Sequence, residues 1–283
     1  MKGISLFDDS FSETLTSTYS LIIQLSYFGF VYVIFDNYNN KFIGLKHIEF
    51  EKKSNDESLR KIINEIIVSE DLLCKHFKNI KIILNISKFT LIPAALFDSD
   101  KLKAIFSFNQ NLSENEDVLY YRLPNYELYI LFSINKNLKQ IFSEWYSGIE
   151  FYHQSCPFIQ HHLSVNKNNN ETKVYIDVAV DCFDIMVIKS SDLLFYNTFN
   201  FVNEEDFAYF VMNTYDKLKL NPELVPAFLS GDIITGSANF QKLFQFIKNI
   251  SFNKPSDHLN FSYRFNELPE HFFINLKNLI KCE

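Results

Sequence analysis

The sequence has 283 residues and a formal net charge of −7, with 47% hydrophobic and 22% charged residues. This composition is typical of a soluble globular protein, and the acidic balance argues against binding to nucleic-acid phosphates, which depends on clustered Lys and Arg. The four scattered cysteines, the absence of a signal-peptide pattern at the N-terminus and the shortness of the longest apolar run, Tyr27 to Phe35, favour a cytoplasmic protein without a zinc ribbon or a membrane helix.

The first part of the chain predicts three strands, a helix and a fourth strand. Residues Tyr19 to Asp36 are β-branched and aromatic on both sides of Phe28 and Gly29, and Lys41 to Phe50 continue this pattern. Ser54 and Glu57 are spaced as a capping box, so a helix follows before the strand Ile80 to Ile86. The predicted order is βββαβ.

The middle of the chain predicts an insertion in this first half. Its predicted elements are strands at Asp117–Leu123 and Tyr126–Ser133, a helix at Asn135–Tyr146 and a strand at Ile149–Ser155. We therefore expect residues 1–165 to form one half with an inserted αβ segment.

A polar stretch, Asn166 to Asn170, has the composition of a linker, and the βββαβ order returns after it. The predicted elements are strands at Thr172–Val180, Cys182–Lys189 and Asp192–Phe199, a helix that opens at Asn203, a strand at Leu224–Leu229, and helices at Ser237–Ile250 and Pro269–Ile280. Residues 171–283 are therefore expected to form a second, similar half.

Two such units predict an α/β fold made of two ribonuclease H-like halves around a central cleft, because a three-strand meander followed by a helix and a parallel return strand needs helices on both faces of a mixed sheet. The strand residues expected in the cores are Ile22, Val33, Ile82, Ile176, Val187 and Phe228.

Four stretches of the sequence stand out together. They are Leu21–Ser26 with Gly29-Phe30, Ile92–Phe97, Leu193–Phe199 with Glu205–Phe207, and Leu229-Ser230-Gly231. As a set they resemble an uncharacterised bacterial protein family with an actin-like ATPase fold. The resemblance implies an actin-like arrangement of the halves and lends no established activity. It also implies distant relatives among pilus-assembly and type II secretion proteins, which act mainly as assembly platforms.

The resemblance indicates where nucleotide-binding residues should stand. An actin-like ATPase holds phosphates with two glycine-containing hairpins, and each first strand carries an Asp for the metal and water. In the first hairpin, Gln24 stands at the Asp position and Ser26 at the Gly position. The second hairpin keeps Asp177 but has no glycine between Asp177 and Asp184, so the ATPase motifs are degenerate and no catalytic residue is predicted.

The remaining candidate for ligand binding is the loop from Ser230 to Ser237. Gly231 and Gly236 are spaced as in a P-loop, but the lysine that would follow Gly236 is missing. The alternative is a turn with a Ser cap for the next helix. The predicted cofactor-binding residues, for residual ATP and magnesium only, are Asp177, Ser230, Gly231, Gly236 and Ser237.

Two further constellations are weaker. His153, Cys156, His161 and His162 are close in sequence, but a helix from Pro157 would place the last two on adjacent faces, so no metal site is predicted. Asp177, Asp181 and Asp232 could imitate the carboxylates of a ribonuclease H-type nuclease, with Asp177, Ala179 and Asp181 on one strand face, but basic residues to hold nucleic acid are lacking.

The sequence therefore favours a non-enzymatic binding or assembly protein, a pseudo-ATPase whose partner is another protein. It predicts neither nucleic-acid binding nor membrane insertion. The alternative is a weak nucleotide-binding protein or ATPase that uses the cleft between the halves, around Asp177, Gly231 and Gly236.

Overall fold

The structure is a computed structural model that describes residues 3–51, 56–255 and 258–282. The chain divides into two compact units. One comprises Met1–Pro157, Asp257–Glu267 and Leu279–Glu283, and the other comprises Phe158–Ser256 and Leu268–Asn278. The C-terminal segments are thus shared between the units, whereas the limits 1–165 and 171–283 expected from the sequence stay a prediction, as does the cleft.

The described residues form fifteen strands and seven α-helices. The strands are β1 (Ser5–Phe7), β2 (Tyr19–Leu25), β3 (Gly29–Asp36), β4 (Lys41–Glu49), β5 (Asn79–Leu84), β6 (Phe89–Pro93), β7 (Glu116–Arg122), β8 (Leu128–Asn135), β9 (Ile149–His153), β10 (Thr172–Val178), β11 (Cys182–Lys189), β12 (Asp192–Asn200), β13 (Ala227–Gly231), β14 (Ile250–Phe252) and β15 (Asn260–Phe261). The helices are α1 (Asp56–Ser69), α2 (Leu102–Ser107), α3 (Lys136–Trp145), α4 (Ser155–Val165), α5 (Glu204–Lys217), α6 (Ala238–Phe244) and α7 (Ile274–Asn278).

The first unit contains a mixed sheet in the order β1-β4-β3-β2-β5-β9, with β15 beside β4. Strands β2, β3 and β4 are an antiparallel meander, and β5 and β9 lie parallel to β2. Every residue of β3 is buried, as expected for a strand covered on both faces. This confirms the first βββαβ order, with α1 between β4 and β5. The proposed cap residue Ser54 lies outside the described residues.

A small antiparallel sheet in the order β6-β8-β7 is inserted between β5 and β9. It has its own core, formed by Ile92, Phe106, Val118 and Leu131. Strands β7 and β8 and helix α3 lie where the sequence predicts them. Strand β6 was not predicted, because Phe89 to Pro93 is short and ends in proline.

The second unit contains a sheet in the order β12-β11-β10-β13-β14, in which the first three strands are antiparallel and the last two run parallel to β10. Helix α5 joins β12 to β13. Its cap is Asn203, as predicted, whose side chain accepts a hydrogen bond from the Asp206 N–H at 2.9 Å. Phe207, Val211 and Tyr215 of α5 are buried in the core of this unit. The second βββαβ order is therefore also confirmed.

The structure corrects one predicted core residue. Ile22, Val33, Ile82, Ile176 and Val187 are fully buried, whereas Phe228 is only half-buried. Phe228 pairs in register with Tyr175 and its ring stacks on that of Tyr175 at 5.2 Å, so it lies on the sheet face opposite to the buried Ile176.

The structure also corrects three element boundaries. Strand β13 begins at Ala227 instead of Leu224, because the N–H groups of Leu224 and Val225 bond to the Asn221 carbonyl in a turn. Helix α6 ends at Phe244 instead of Ile250, and the last predicted helix is reduced to α7 with a following 3-10 turn. Among the described residues, no helix has the length and apolar character needed to cross a membrane.

Candidate functional site

In the first hairpin, between β2 and β3, the Ser26 side chain occupies the inside of the turn. The Ser26 hydroxyl accepts hydrogen bonds from the N–H groups of Phe28 at 3.2 Å and Gly29 at 3.1 Å. These are the backbone donors that a phosphate loop would direct at a ligand. Gln24, at the expected Asp position, has a buried side-chain oxygen with no hydrogen-bond partner in the described residues. An amide at this place cannot supply the carboxylate that magnesium prefers.

The second hairpin, between β10 and β11, is closed by backbone hydrogen bonds. The Ala179 N–H donates to the Cys182 carbonyl at 2.8 Å, and the Phe201 N–H donates to the Asp181 carbonyl at 3.0 Å. Strand β10 ends at Val178, so Asp181 belongs to the turn and does not share a strand face with Asp177, which corrects that expectation. No group of three His, Cys, Asp or Glu side chains placed to hold a metal ion occurs in the described part of the chain.

Asp177 lies near the end of β10 and is held by two side chains. It pairs in register with Ser230 of β13, whose hydroxyl donates to Oδ1 at 2.6 Å. The Asn275 amide of α7 donates to Oδ2 at 2.8 Å. The carboxyl is half-buried, and this burial raises its pKa to about 6, although the hydrogen bond from Ser230 acts in the opposite direction. Both carboxylate oxygens are therefore already engaged within the protein.

Asn275 was missed by the sequence analysis. It lies 98 residues from Asp177 in the chain, inside the final helical segment, where no motif marks it. Its own Oδ1 is buried without a hydrogen-bond partner in the described residues. Only the fold of the second unit brings this amide to the carboxylate.

Gly231 is required by the backbone. Its φ is +81°, and a Cβ built on it would lie 2.1 Å from the Val178 carbonyl oxygen. That carbonyl accepts a hydrogen bond from the Asp232 N–H at 2.7 Å, so β13 turns away immediately beside β10. The Gly231 N–H donates to the His271 carbonyl at 3.1 Å. The glycine thus permits a close approach of two backbone segments of this chain.

Gly236 and Ser237 are in a different situation. Gly236 is exposed, its φ is not positive, and a Cβ there would meet no atom within 4 Å. Ser237 is the N-cap of α6, since its hydroxyl accepts from the Phe240 N–H at 3.3 Å and donates to the Ile234 carbonyl at 2.8 Å. Gly236 and Ser237 therefore form a turn with a Ser cap for the next helix, which is the alternative to a phosphate-binding loop.

The structure thus brings together three of the five predicted site residues, Asp177, Ser230 and Gly231. They form a hydrogen-bonded strand junction, whereas Gly236 and Ser237 precede the short helix α6, which Ser237 caps. Ligand binding by these five residues stays a prediction.

His153 and His162 are buried and packed against other parts of the protein. His153 is fully buried, and its Nδ1 accepts from the Ser155 N–H at 3.1 Å while its Nε2 lies 2.8 Å from the Ile86 carbonyl. Nε2 therefore carries the proton, and burial lowers the pKa of the ring to about 3. In the second unit, the His162 ring stacks on Tyr175 at 3.9 Å between centroids, and burial lowers its pKa well below the usual value. Within the described residues, neither ring belongs to a group of three potential metal ligands.

Comparison with known proteins identifies the family. The profile of the family described as a protein of unknown function, DUF3822, matches residues 8–250, and the chain belongs to this family. It is similar to a crystal structure from Bacteroides thetaiotaomicron VPI-5482 of a protein with an actin-like ATPase fold and unknown function. The identity is 26%, the TM-score is 0.80, and the match covers 96% of this chain and 99% of that one.

A second similar structure is the PilM–PilN type IV pilus biogenesis complex. The identity is 10%, the TM-score is 0.57, and the match covers 93% of this chain and 98% of the matched chain. Curated proteins give no significant match. The chain therefore has an actin-like ATPase fold, as the sequence resemblance implied.

Proposed function

We propose that this member of the DUF3822 family is a non-enzymatic binding or assembly protein, a pseudo-ATPase that uses the actin-like fold as a scaffold for another protein. The observation that carries the proposal is the first hairpin, where the Ser26 hydroxyl occupies the N–H groups of Phe28 and Gly29 and an amide stands at Gln24. A nucleotide phosphate would have to displace this serine, and its metal ion would find no carboxylate at the first hairpin.

Four further observations support the proposal. The second hairpin has no glycine, and Asp177 is hydrogen-bonded to Ser230 and Asn275. A structure that shares the fold, PilM–PilN, is a complex of two proteins, which supports a protein partner. The acidic net charge of −7 argues against a nucleic-acid partner. The proposed location of the protein is the cytoplasm.

Weak nucleotide binding with magnesium is the alternative function. Asp177 favours it, because it is a carboxylate at the end of a first strand, next to the close backbone approach at Gly231. The residues that would take part are Asp177, Ser230, Gly231, Gly236 and Ser237.

Titration of the full chain with ATP and magnesium distinguishes the two functions. We expect no saturable heat and no rise in melting temperature up to about 1 mM ATP, because a ligand that binds the folded state would stabilise it by RT ln(1 + [L]/Kd). ATP hydrolysis should equal background, also in the variant Gln24→Asp, since Ser26 still fills the hairpin. Saturable binding below millimolar, or turnover that disappears in Asp177→Asn, would overturn the proposal.

A further inference from the structure

The first unit contains a groove of about 810 Å³ that is bordered by two edge strands. Strand β7 ends the small sheet and β9 ends the large sheet. Within the described residues, β7 pairs only with β8 and β9 pairs only with β5. Two sheet edges therefore line one groove.

The lining residues indicate that the edges, and not the faces, of these strands border the groove. They include five consecutive residues of β7, Val118 to Arg122, and four consecutive residues of β9, Ile149 to Tyr152. A strand that presented a face would contribute every second residue only, because successive side chains point to opposite faces.

The hydrogen bonds at both ends of the β7–β8 pair determine which backbone groups point outward. The Leu123 N–H donates to the Leu128 carbonyl and the Lys136 N–H donates to the Asn115 carbonyl. In an antiparallel pair the bonded positions alternate, so the odd-numbered residues of β7 bond to β8. The N–H and C=O groups of Val118, Tyr120 and Arg122 are therefore directed to the open edge.

The side chains around the groove are aromatic with basic residues beside them. Aromatic lining residues are Tyr120, Tyr121, Tyr146, Phe151 and Tyr152. The groove is also lined by Arg122 and Lys139, against a single acidic residue, Glu150, which already accepts a hydrogen bond from the Tyr152 hydroxyl at 2.9 Å.

A neighbouring cavity extends this pattern. It shares Val118 and Lys139 with the groove and adds Lys101 and Lys103, with Asp100 and Asp117 as its acidic residues. Lys139 pairs with Asp117 at 3.4 Å and Arg122 lies 4.0 Å from Glu127; both pairs are accessible to solvent and therefore weak, so a carboxylate of a partner can replace either one. In a protein with a net charge of −7, the two cavities together are lined by four basic and three acidic residues.

We propose that this groove binds an extended segment of a partner protein, which adds as a strand to the open edge of β7. Main-chain hydrogen bonds to Val118, Tyr120 and Arg122 supply affinity, and alternate apolar side chains of the segment contact the aromatic lining. An acidic residue of the segment pairs with Arg122 or Lys139. The inference rests on the proposed function and names the surface and the partner chemistry for it.

The test begins with a phage-displayed library of linear twelve-residue peptides selected on the full-length protein. We expect the selected peptides to share alternating apolar residues and at least one Asp or Glu. The most enriched peptide is then synthesised and its affinity is measured by calorimetry. Deuterium exchange with this peptide should slow at the amides of Val118, Tyr120 and Arg122, which distinguishes strand addition from contact through side chains only.

Two variants at one position isolate the backbone contact. Tyr120→Pro removes an outward N–H without removing a bond to β8, and proline is tolerated on an edge strand with its nitrogen facing solvent. Tyr120→Val removes the same ring but keeps the N–H. We expect the peptide to bind about tenfold or more weakly to the proline variant than to the valine variant.

A further experiment tests the predicted ion pair between the segment and the groove. The double variant Arg122→Glu, Lys139→Glu should lose the acidic peptide and, in a repeated selection, prefer peptides with Lys or Arg. An unchanged preference would contradict the pairing of an acidic residue of the segment with Arg122 or Lys139.

Three outcomes would overturn the inference. They are no enrichment of any peptide, equal binding to both Tyr120 variants, and a self-association of the full chain that Tyr120→Pro abolishes, which would make a second copy the occupant. None of these touches the proposed absence of ATPase activity, which is decided by the ATP titration. Conversely, turnover of ATP would overturn the pseudo-ATPase and leave the peptide result standing as a separate finding.

Discussion

Replacement of Gly231 with alanine is expected to lower the free energy of unfolding by about 3 to 5 kcal/mol. The new Cβ would lie 2.1 Å from the Val178 carbonyl oxygen and 2.8 Å from the Val178 nitrogen, and the φ of +81° is unfavourable for any side chain. Backbone strain of this kind costs about 1 to 3 kcal/mol, and forced overpacking costs a similar amount. Since both contacts are with backbone atoms of β10, no side-chain rotation can relieve them. Urea unfolding followed by circular dichroism measures the change.

Gly236 provides the matched control. It lies in the same loop, but its φ is not positive and a Cβ there meets open space. Gly236→Ala should therefore change the free energy of unfolding by no more than about 0.5 kcal/mol, or stabilise the fold slightly by restricting the unfolded chain. Equal effects at both positions would show that the close approach at Gly231 does not determine the stability of the junction between β10 and β13.

The two glycines illustrate where sequence reasoning stops. Their spacing resembles a P-loop, but spacing does not determine φ, and only Gly231 has the left-handed conformation. The neighbouring residues Asp177 and Ser230 could be predicted as a pair, because a first strand and the parallel strand after the helix lie side by side in a βββαβ unit. Asn275 could not, since its position depends on how the C-terminal segment folds back.

The fold could be predicted from the sequence better than the site, because the alternating pattern of a strand lies within a few consecutive residues. Long β-branched and aromatic runs predicted the meanders, and Asn203 with its following acids predicted the start of α5. After Ser237, the helical spacing of apolar residues did not predict correctly where the helix ends or which residues are buried. Phe244, about one helical turn after the buried Phe240, is 57% exposed, and Ile247 is buried although the helix has ended at Phe244. The turn after Phe244 still includes a helix-like hydrogen bond from the Ile247 N–H to the Leu243 carbonyl at 3.1 Å, and it buries Ile247 beyond the end of α6. A spacing rule cannot distinguish this turn from a longer helix.

The short elements were missed for a related reason. Strands β14 and β15 have three and two residues, too few to display an alternating pattern. The open edges of β7 and β9 could not be predicted from the sequence either, because the order of the strands in a sheet, and not the residues of one strand, determines which strand lies at an edge.

Acidification is expected to destabilise the protein through its buried histidines. His153 and His162 are both buried, and burial lowers the pKa of His153 to about 3 and that of His162 well below its usual value. In the unfolded chain both rings titrate near 6.5. Below that pH the unfolded state therefore binds more protons than the folded state, and stability falls by about 1.4 kcal/mol per pH unit for each ring. Asp177 acts in the opposite direction between its unfolded pKa, near 3.9, and about 6, because its pKa is raised in the folded state.

His162→Phe should isolate one of these rings and stabilise the protein. Both nitrogens of His162 lack hydrogen-bond partners within the described residues, whereas the ring is packed against Tyr175 at 3.9 Å and Phe158 at 4.9 Å between centroids. A phenyl ring keeps these contacts and removes the unsatisfied polar atoms, so we expect a gain of about 1 kcal/mol at pH 7.5. The gain should grow to about 3 kcal/mol at pH 5, because the variant no longer loses stability by leaving this ring unprotonated. Urea unfolding of both proteins at pH 7.5, 6.0 and 5.0 measures the difference, and parallel pH profiles would show that His162 is not buried in its neutral form.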